Sequence, residues 1–304
     1  MSATIFRQTI IMLILIFTGV LCAKTKIIGK EANRDLSKFV LQVINPVVIF
    51  MAYQSEYRPE LAKNLLVTFG LSLLSFVIMI TLAYVFVRKK EKRETEIERF
   101  SLIYSNCGFM GIPLVSALFG DEGVFYLTAF ITVFNIFVWT HGIILISGEK
   151  SMKNIVKVLR SPTIISIALG LICFFARIKL PEVPAQALTF IKEINTPMAM
   201  IVSGVTMADT DVFKLVKNLR VYIICALRLL VIPLAVVGVL SVFDIDSKVR
   251  LTIIAASAAP PAAMCTLHCI RYGKNSVYSS EIFTAGTILS VLTLPLIVKI
   301  AELL

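Results

Sequence analysis

The chain has 304 residues, 58% of them hydrophobic and 16% charged, with a mean hydropathy of +0.88. Its apolar residues fall in runs of about twenty, the length that crosses roughly 30 Å of hydrocarbon, so the composition describes an all-α polytopic membrane protein and leaves no room for a soluble domain. The formal charge of +11 does not signal nucleic acid, because the cations sit in the loops between apolar runs.

Ten spans are predicted, over 8–23, 37–54, 64–87, 100–119, 123–147, 161–176, 186–208, 221–241, 251–270 and 278–303. The first follows Arg7 and ends in Leu21-Cys22-Ala23, like a secretory leader. No small-x-small cleavage site precedes Lys24, so the segment reads as a retained helix. The second carries Asn45-Pro46. Between the third and fourth, Arg88 to Arg99 alternates in sign and reads as a solvated loop. Ser105-Asn106-Cys107-Gly108-Phe109-Met110-Gly111-Ile112-Pro113 interrupts the fourth span, and Ala258-Ala259-Pro260-Pro261-Ala262 interrupts the ninth. The fifth holds Asn135 and His141, the latter read as a hydrogen-bonded structural residue. Lys192 and Glu193 are expected to pair with each other at the start of the seventh. Arg228, in the eighth, is expected to snorkel toward the headgroups. All six cysteines lie in or at apolar segments and read as packing residues. Cys265, His268 and Cys269 share a helical face but lack a fourth ligand, so no metal or cofactor is expected.

Overlaying the two halves reveals a repeat. Asn45 of Asn45-Pro46 and Asn195 of Asn195-Thr196-Pro197 are 150 residues apart, and Pro113 and Pro260 are 147 apart. The chain therefore divides into five-span halves at 1–148 and 149–304. An odd number of crossings makes the second half enter from the opposite side, giving two inverted repeats. Prolines free backbone carbonyls at membrane depth, which lipid cannot satisfy, so such breaks belong beside protein or a wet cavity. If the fourth and ninth helices cross, their half-helix N-termini converge and form an anion site with no buried Arg or Lys. The candidate substrate residues are Asn45, Asn106 and Asn135 for their amides, Gly111 for the bend, and Pro113, Pro260 and Pro261 for the breaks.

Loop charge sets an orientation. Loops 24–38, 88–99, 149–160, 209–220 and 271–277 carry 20 of the 30 Lys and Arg residues, against six in 55–63, 120–123, 177–185 and 242–250. The richer set is predicted to be cytoplasmic, with both termini outside.

Several stretches resemble the auxin efflux carrier family, including its bacterial members described as malonate or malate permeases. They are Asn106 to Leu114, the Asn45-Pro46 span, Ala259-Pro260-Pro261-Ala262 followed by Arg271-Tyr272-Gly273, and Leu289 to Pro295. The resemblance covers essentially the whole chain. It implies ten transmembrane helices with broken crossing helices 4 and 9, in the cell membrane. It further implies secondary active transport of small organic anions, carboxylates above all, by an elevator-like motion, with Asn106, Pro113, Pro260 and Pro261 at the substrate site. Residues 149–160 are too short for the long central loop of plant members, so auxin itself and plant-like regulation are not implied. The expected partners are a small organic anion and the lipid bilayer, with no nucleic acid, and a homodimer is left open. A sodium- or proton-coupled carrier like the bile acid symporters, and a non-transporting receptor, stay open as alternatives. No GxxxxGK[ST], HExxH or paired intramembrane Asp is present, which argues against a pump or an enzyme.

Overall fold

Proline placement explains much of where this chain starts, shifts and breaks its helices. The computed structural model describes residues 2–89, 93–148, 159–208 and 210–304. Residues 149–158, which hold most of one predicted loop and the boundary between the halves, lie outside the described residues, as do 90–92 of the alternating charge run.

The first helix, α1, covers Ser2–Lys24. A polar helix α2, Lys30–Phe39, runs through a π turn at Val40–Ile44 into α3, Asn45–Ala52, and is followed by α4, Pro59–Phe86, and α5, Thr95–Ile103. A second π turn, Cys107–Gly111, opens α6, Ile112–Phe137, which passes through a third at Val138–Gly142 into α7, Ile143–Ser147. Then come α8, Pro162–Phe175, α9, Glu182–Glu193, α10, Asn195–Met207, and α11, Val212–Lys217. Next, α12, Leu219–Ala226, meets a fourth π turn, Leu227–Val231, and α13, Ile232–Leu240. Finally come α14, Ser247–Ala258, α15, Met264–Arg271, and α16, Ser276–Leu303.

Six helical stretches among these are long and apolar enough to cross a membrane. One of them, Cys107–Ser147, has 41 residues, about twice the length a single crossing needs. It is divided at Gly120, whose φ of 59° and ψ of −145° lie where only glycine sits without strain.

Three of the four π turns end two residues before a proline: Val40–Ile44 before Pro46, Cys107–Gly111 before Pro113, and Leu227–Val231 before Pro233. A proline cannot donate to the carbonyl four residues back, and a one-residue widening of the helix accommodates the missing bond without breaking it. Pro113 accordingly sits in the first turn of α6, and the fourth span breaks earlier, at Tyr104–Asn106. Locating that break at Pro113 is therefore corrected.

The closest helix packing is between α1 and α10. A Cβ on Gly19 would overlap the carbonyl of Ile201, and one on Gly204 would overlap the carbonyl of Ile16, so each glycine admits the other helix's backbone. On α16, Gly286 leaves room for the ring of Pro261.

Polar clusters tie the helix ends. Glu98, 1% exposed, accepts two hydrogen bonds from Arg220, at 2.6 and 2.8 Å, and one from the Tyr278 hydroxyl at 3.0 Å. The solvated-loop expectation for this end of the charge run is thus corrected: from Thr95 it is helical, and Arg220 and Tyr278 replace the water that Glu98 loses. At the start of the fifth span, Glu122 pairs with Lys248 at 2.8 Å and Arg58 at 3.7 Å. Lys192 pairs with Asp121 there rather than with its neighbour Glu193.

Candidate functional site at the helix crossing

The two interruptions meet and satisfy each other. Beyond α5 the backbone is extended at Tyr104, and beyond α14 Ala259 takes the extended geometry favoured before a proline. The two segments pair antiparallel at Ser105 and Pro261. Asn106 N–H donates to the Pro260 carbonyl at 2.7 Å, and Ala262 N–H donates to the Tyr104 carbonyl at 3.0 Å. Backbone groups that lipid would leave unpaired are paired across the crossing.

Four half-helix ends surround this bridge. Two are C-termini, of α5 and α14, and two are N-termini, of the Cys107 turn and α15. Arg228 occupies the C-terminal pair. It is fully buried and donates to the carbonyls of Leu102 at 3.0 Å, Ser257 at 2.8 Å and Ala259 at 2.9 Å. These are terminal carbonyls without an intrahelical partner, carrying the negative ends of both half-helix dipoles. The snorkelling expectation for Arg228 is overturned, and so is the expectation that no cation lies near the breaks. A guanidinium is stable at this depth because three carbonyls and two dipole ends replace its water.

No charged side chain lines the cavity beside the N-terminal pair, and in α15 the Cys265 and Thr266 N–H groups donate to the Ala262 and Ala263 carbonyls, at 3.1 Å each. Cys107, Gly108 and Phe109 open their helix, where no earlier carbonyl of that helix reaches their N–H groups. The Asn106 side chain does not cap them. Beside them lies a cavity of about 60 Å³, lined by Asn45, Cys107, Gly108, Asn135, Thr163 and Met264 with apolar Leu41, Ile49, Ile112, Ile131 and Phe134. Its lining contains no carboxylate. It has room for a few waters or a group as small as a carboxylate. A larger surface cleft of about 340 Å³, lined by Ser247, Arg250 and Glu302 among others, shares no residue with the crossing.

Residues 4–298 match the family model described as a membrane transport protein. The chain belongs to this family, that of the auxin efflux carriers. It is also similar to an uncharacterized transporter of Methanothermobacter thermautotrophicus, with 25% identity over 296 residues, covering 93% of this chain and 94% of the relative.

Within this membrane transport protein, the residues singled out from the sequence fall into three groups. Asn45 and Asn135 line the cavity, and Asn45 accepts a 2.7 Å hydrogen bond from the amide of Asn195. Asn135 donates back to the carbonyl of Ile131 in its own helix. Asn106 adjoins the cavity wall at Cys107; it is 6% exposed, and its side-chain nitrogen has no hydrogen-bond partner among the described residues. Pro260 and Pro261 form the bridge itself, whereas Gly111 and Pro113 lie in and just after the π turn, away from the cavity lining. His141 is held between the hydroxyls of Tyr104 at 2.8 Å and Tyr84 at 3.2 Å, the hydrogen-bonded role read for it.

Arg228 is the residue at the crossing whose place the sequence did not reveal. The pattern that would have found it is the proline five residues on, because the π turn before Pro233 carries Arg228 into the core.

Proposed function

We propose that this transporter is a secondary active carrier of small organic anions, carboxylates in particular, bound at the helix crossing. One observation carries this reading: two half-helix N-termini and the Asn45 and Asn135 amides border one small cavity whose lining holds no acid, while Arg228 occupies both opposing C-termini. Positive dipole ends, and first-turn N–H groups that no carbonyl of their own helix reaches, favour an anion.

Elevator-like alternating access fits the make-up of the cavity. One wall comes from Leu41, Asn45 and Ile49 of the second span and Thr163 of α8, the other from the crossing helices together with Ile131, Phe134 and Asn135 of the fifth span. Sliding one wall past the other would expose the site first to one side and then to the other. The inverted repeat is supported by contacts between equivalent positions. Asn45 bonds Asn195, and one break bonds the other, as happens where corresponding elements meet at a two-fold axis. Counting Cys107–Ser147 as two crossings, the first of them completing α5, and counting α8, α9 with α10, and α14 with α15 as one each brings the total to ten.

The test is an uptake screen of mono- and dicarboxylates with purified protein in liposomes, at several pH values and with and without sodium. Saturable, concentrative uptake of at least one carboxylate is expected; absence of any would refute the reading. Asn106→Ala should weaken binding of that substrate by about 1–3 kcal/mol, the effect of removing a buried polar partner. Pro113→Ala should do less, because it restores one N–H beside the π turn and leaves the break at Tyr104–Asn106 intact.

The orientation is tested separately. With both termini outside the cell membrane, cysteines introduced in 55–63 or 242–250 should react with an impermeant thiol reagent on intact cells, and cysteines in 88–99, placed at exposed positions such as Arg88, Lys89 and Arg93, should not. The opposite pattern would reverse the topology.

A further inference from the structure

We infer that Arg228 sets the charge preference of the crossing, acting as a positioning and specificity residue from the side opposite the cavity. The inference rests on the proposed site, but its own evidence is the arrangement of the four half-helix ends. Left alone, two positive and two negative ends meeting at one point would cancel over a short distance, and the cavity would favour neither sign. Arg228 donates to Leu102 on one C-terminus and to Ser257 and Ala259 on the other, so a single guanidinium neutralises both negative ends. The N-termini at Cys107 and Met264 then face the cavity uncancelled. A fully buried cation also adds its own field in a low-dielectric surrounding, where charge is weakly screened. The guanidinium is therefore an internal counter-charge that never needs to touch the anion.

Arg228 Nη1 also lies 3.7 Å from the Met79 sulfur. That contact provides a second way to remove its charge. Met79→Glu places a carboxylate against the guanidinium while leaving Arg228 and its carbonyl bonds in place. Arg228→Gln removes the charge but keeps an amide donor for the carbonyls, and Arg228→Lys keeps the charge.

The field is read without knowing the substrate. In a background with the six native cysteines replaced by alanine, Thr163→Cys puts one thiol on the cavity wall. Its reaction rates with an anionic and a cationic methanethiosulfonate, each divided by the rate with free cysteine, give a ratio that reports the local potential. The ratio should favour the anionic reagent with Arg228 present and stay there in Arg228→Lys. It should fall more than fivefold in Arg228→Gln and in Met79→Glu. A merely structural arginine would alter stability and leave the ratio where it was. A fall of less than fivefold in folded Met79→Glu or Arg228→Gln protein overturns the inference. If no carboxylate is taken up yet the ratio falls as stated, the proposed function fails and the inference stands.

Discussion

Gly204→Val should prevent recovery of folded, monodisperse protein, and Gly204→Ala should lower its melting temperature. A Cβ at Gly204 would overlap the carbonyl oxygen of Ile16, and Gly19 mirrors it against Ile201, so neither helix can yield by moving a flexible side chain. Separating two backbones in a packed core costs about 1–3 kcal/mol for one added methyl and more for a branched side chain. Trp139, the single tryptophan, packs against His268 at 5.9 Å between ring centroids and reports unfolding by fluorescence. Gly238→Ala is the control, because a Cβ there meets open space. A Gly204→Val protein that melts with the wild type would show that α1 and α10 do not meet along their backbones.

Arg220→Ala should destabilise the protein more than Glu98→Ala. The Glu98 side chain is 2% exposed and the Arg220 side chain 28%. Deleting the arginine leaves a buried carboxylate with the Tyr278 hydroxyl as its remaining side-chain partner among the described residues, a loss of about 3–5 kcal/mol for a broken buried pair. Deleting the carboxylate instead frees a guanidinium that reaches water, so about 1–2 kcal/mol is expected. Arg220→Lys should fall between, because a point charge cannot reproduce the two parallel bonds. Thermal melts of the three variants in one detergent give the order, and the reverse order would mean that Arg220, not Glu98, is the group deprived of water.

The parts of this architecture that the sequence displays are those written in residue type. Twenty-residue apolar runs, Asn45 and Asn195 each shortly before a proline, and the Ala-Pro-Pro-Ala break all follow from what the side chains can and cannot do. The role of Arg228 is not displayed, because its partners are backbone carbonyls, which every residue carries. A charge in an apolar run then looks like one near an interface. Glu98 was hidden for another reason: its partners Arg220 and Tyr278 lie 122 and 180 residues away, and a run of alternating charges looks solvated when taken alone. The break of the fourth span was displaced because proline marks a missing N–H, and the chain resolves that with a π turn instead of an interruption. What makes the real break is the other break, through the bridge between Ser105 and Pro261.

The most direct test of the central claim is carboxylate uptake by liposomes holding protein with a reversible cross-link across the cavity. Ile49 and Ile112 lie on its two walls, so cysteines at both positions form the pair. Saturable uptake is expected in the reduced protein, loss of uptake when the pair is cross-linked, and recovery on reduction. Undiminished flux through efficiently cross-linked protein would contradict movement of the crossing helices past the second span as the transport step.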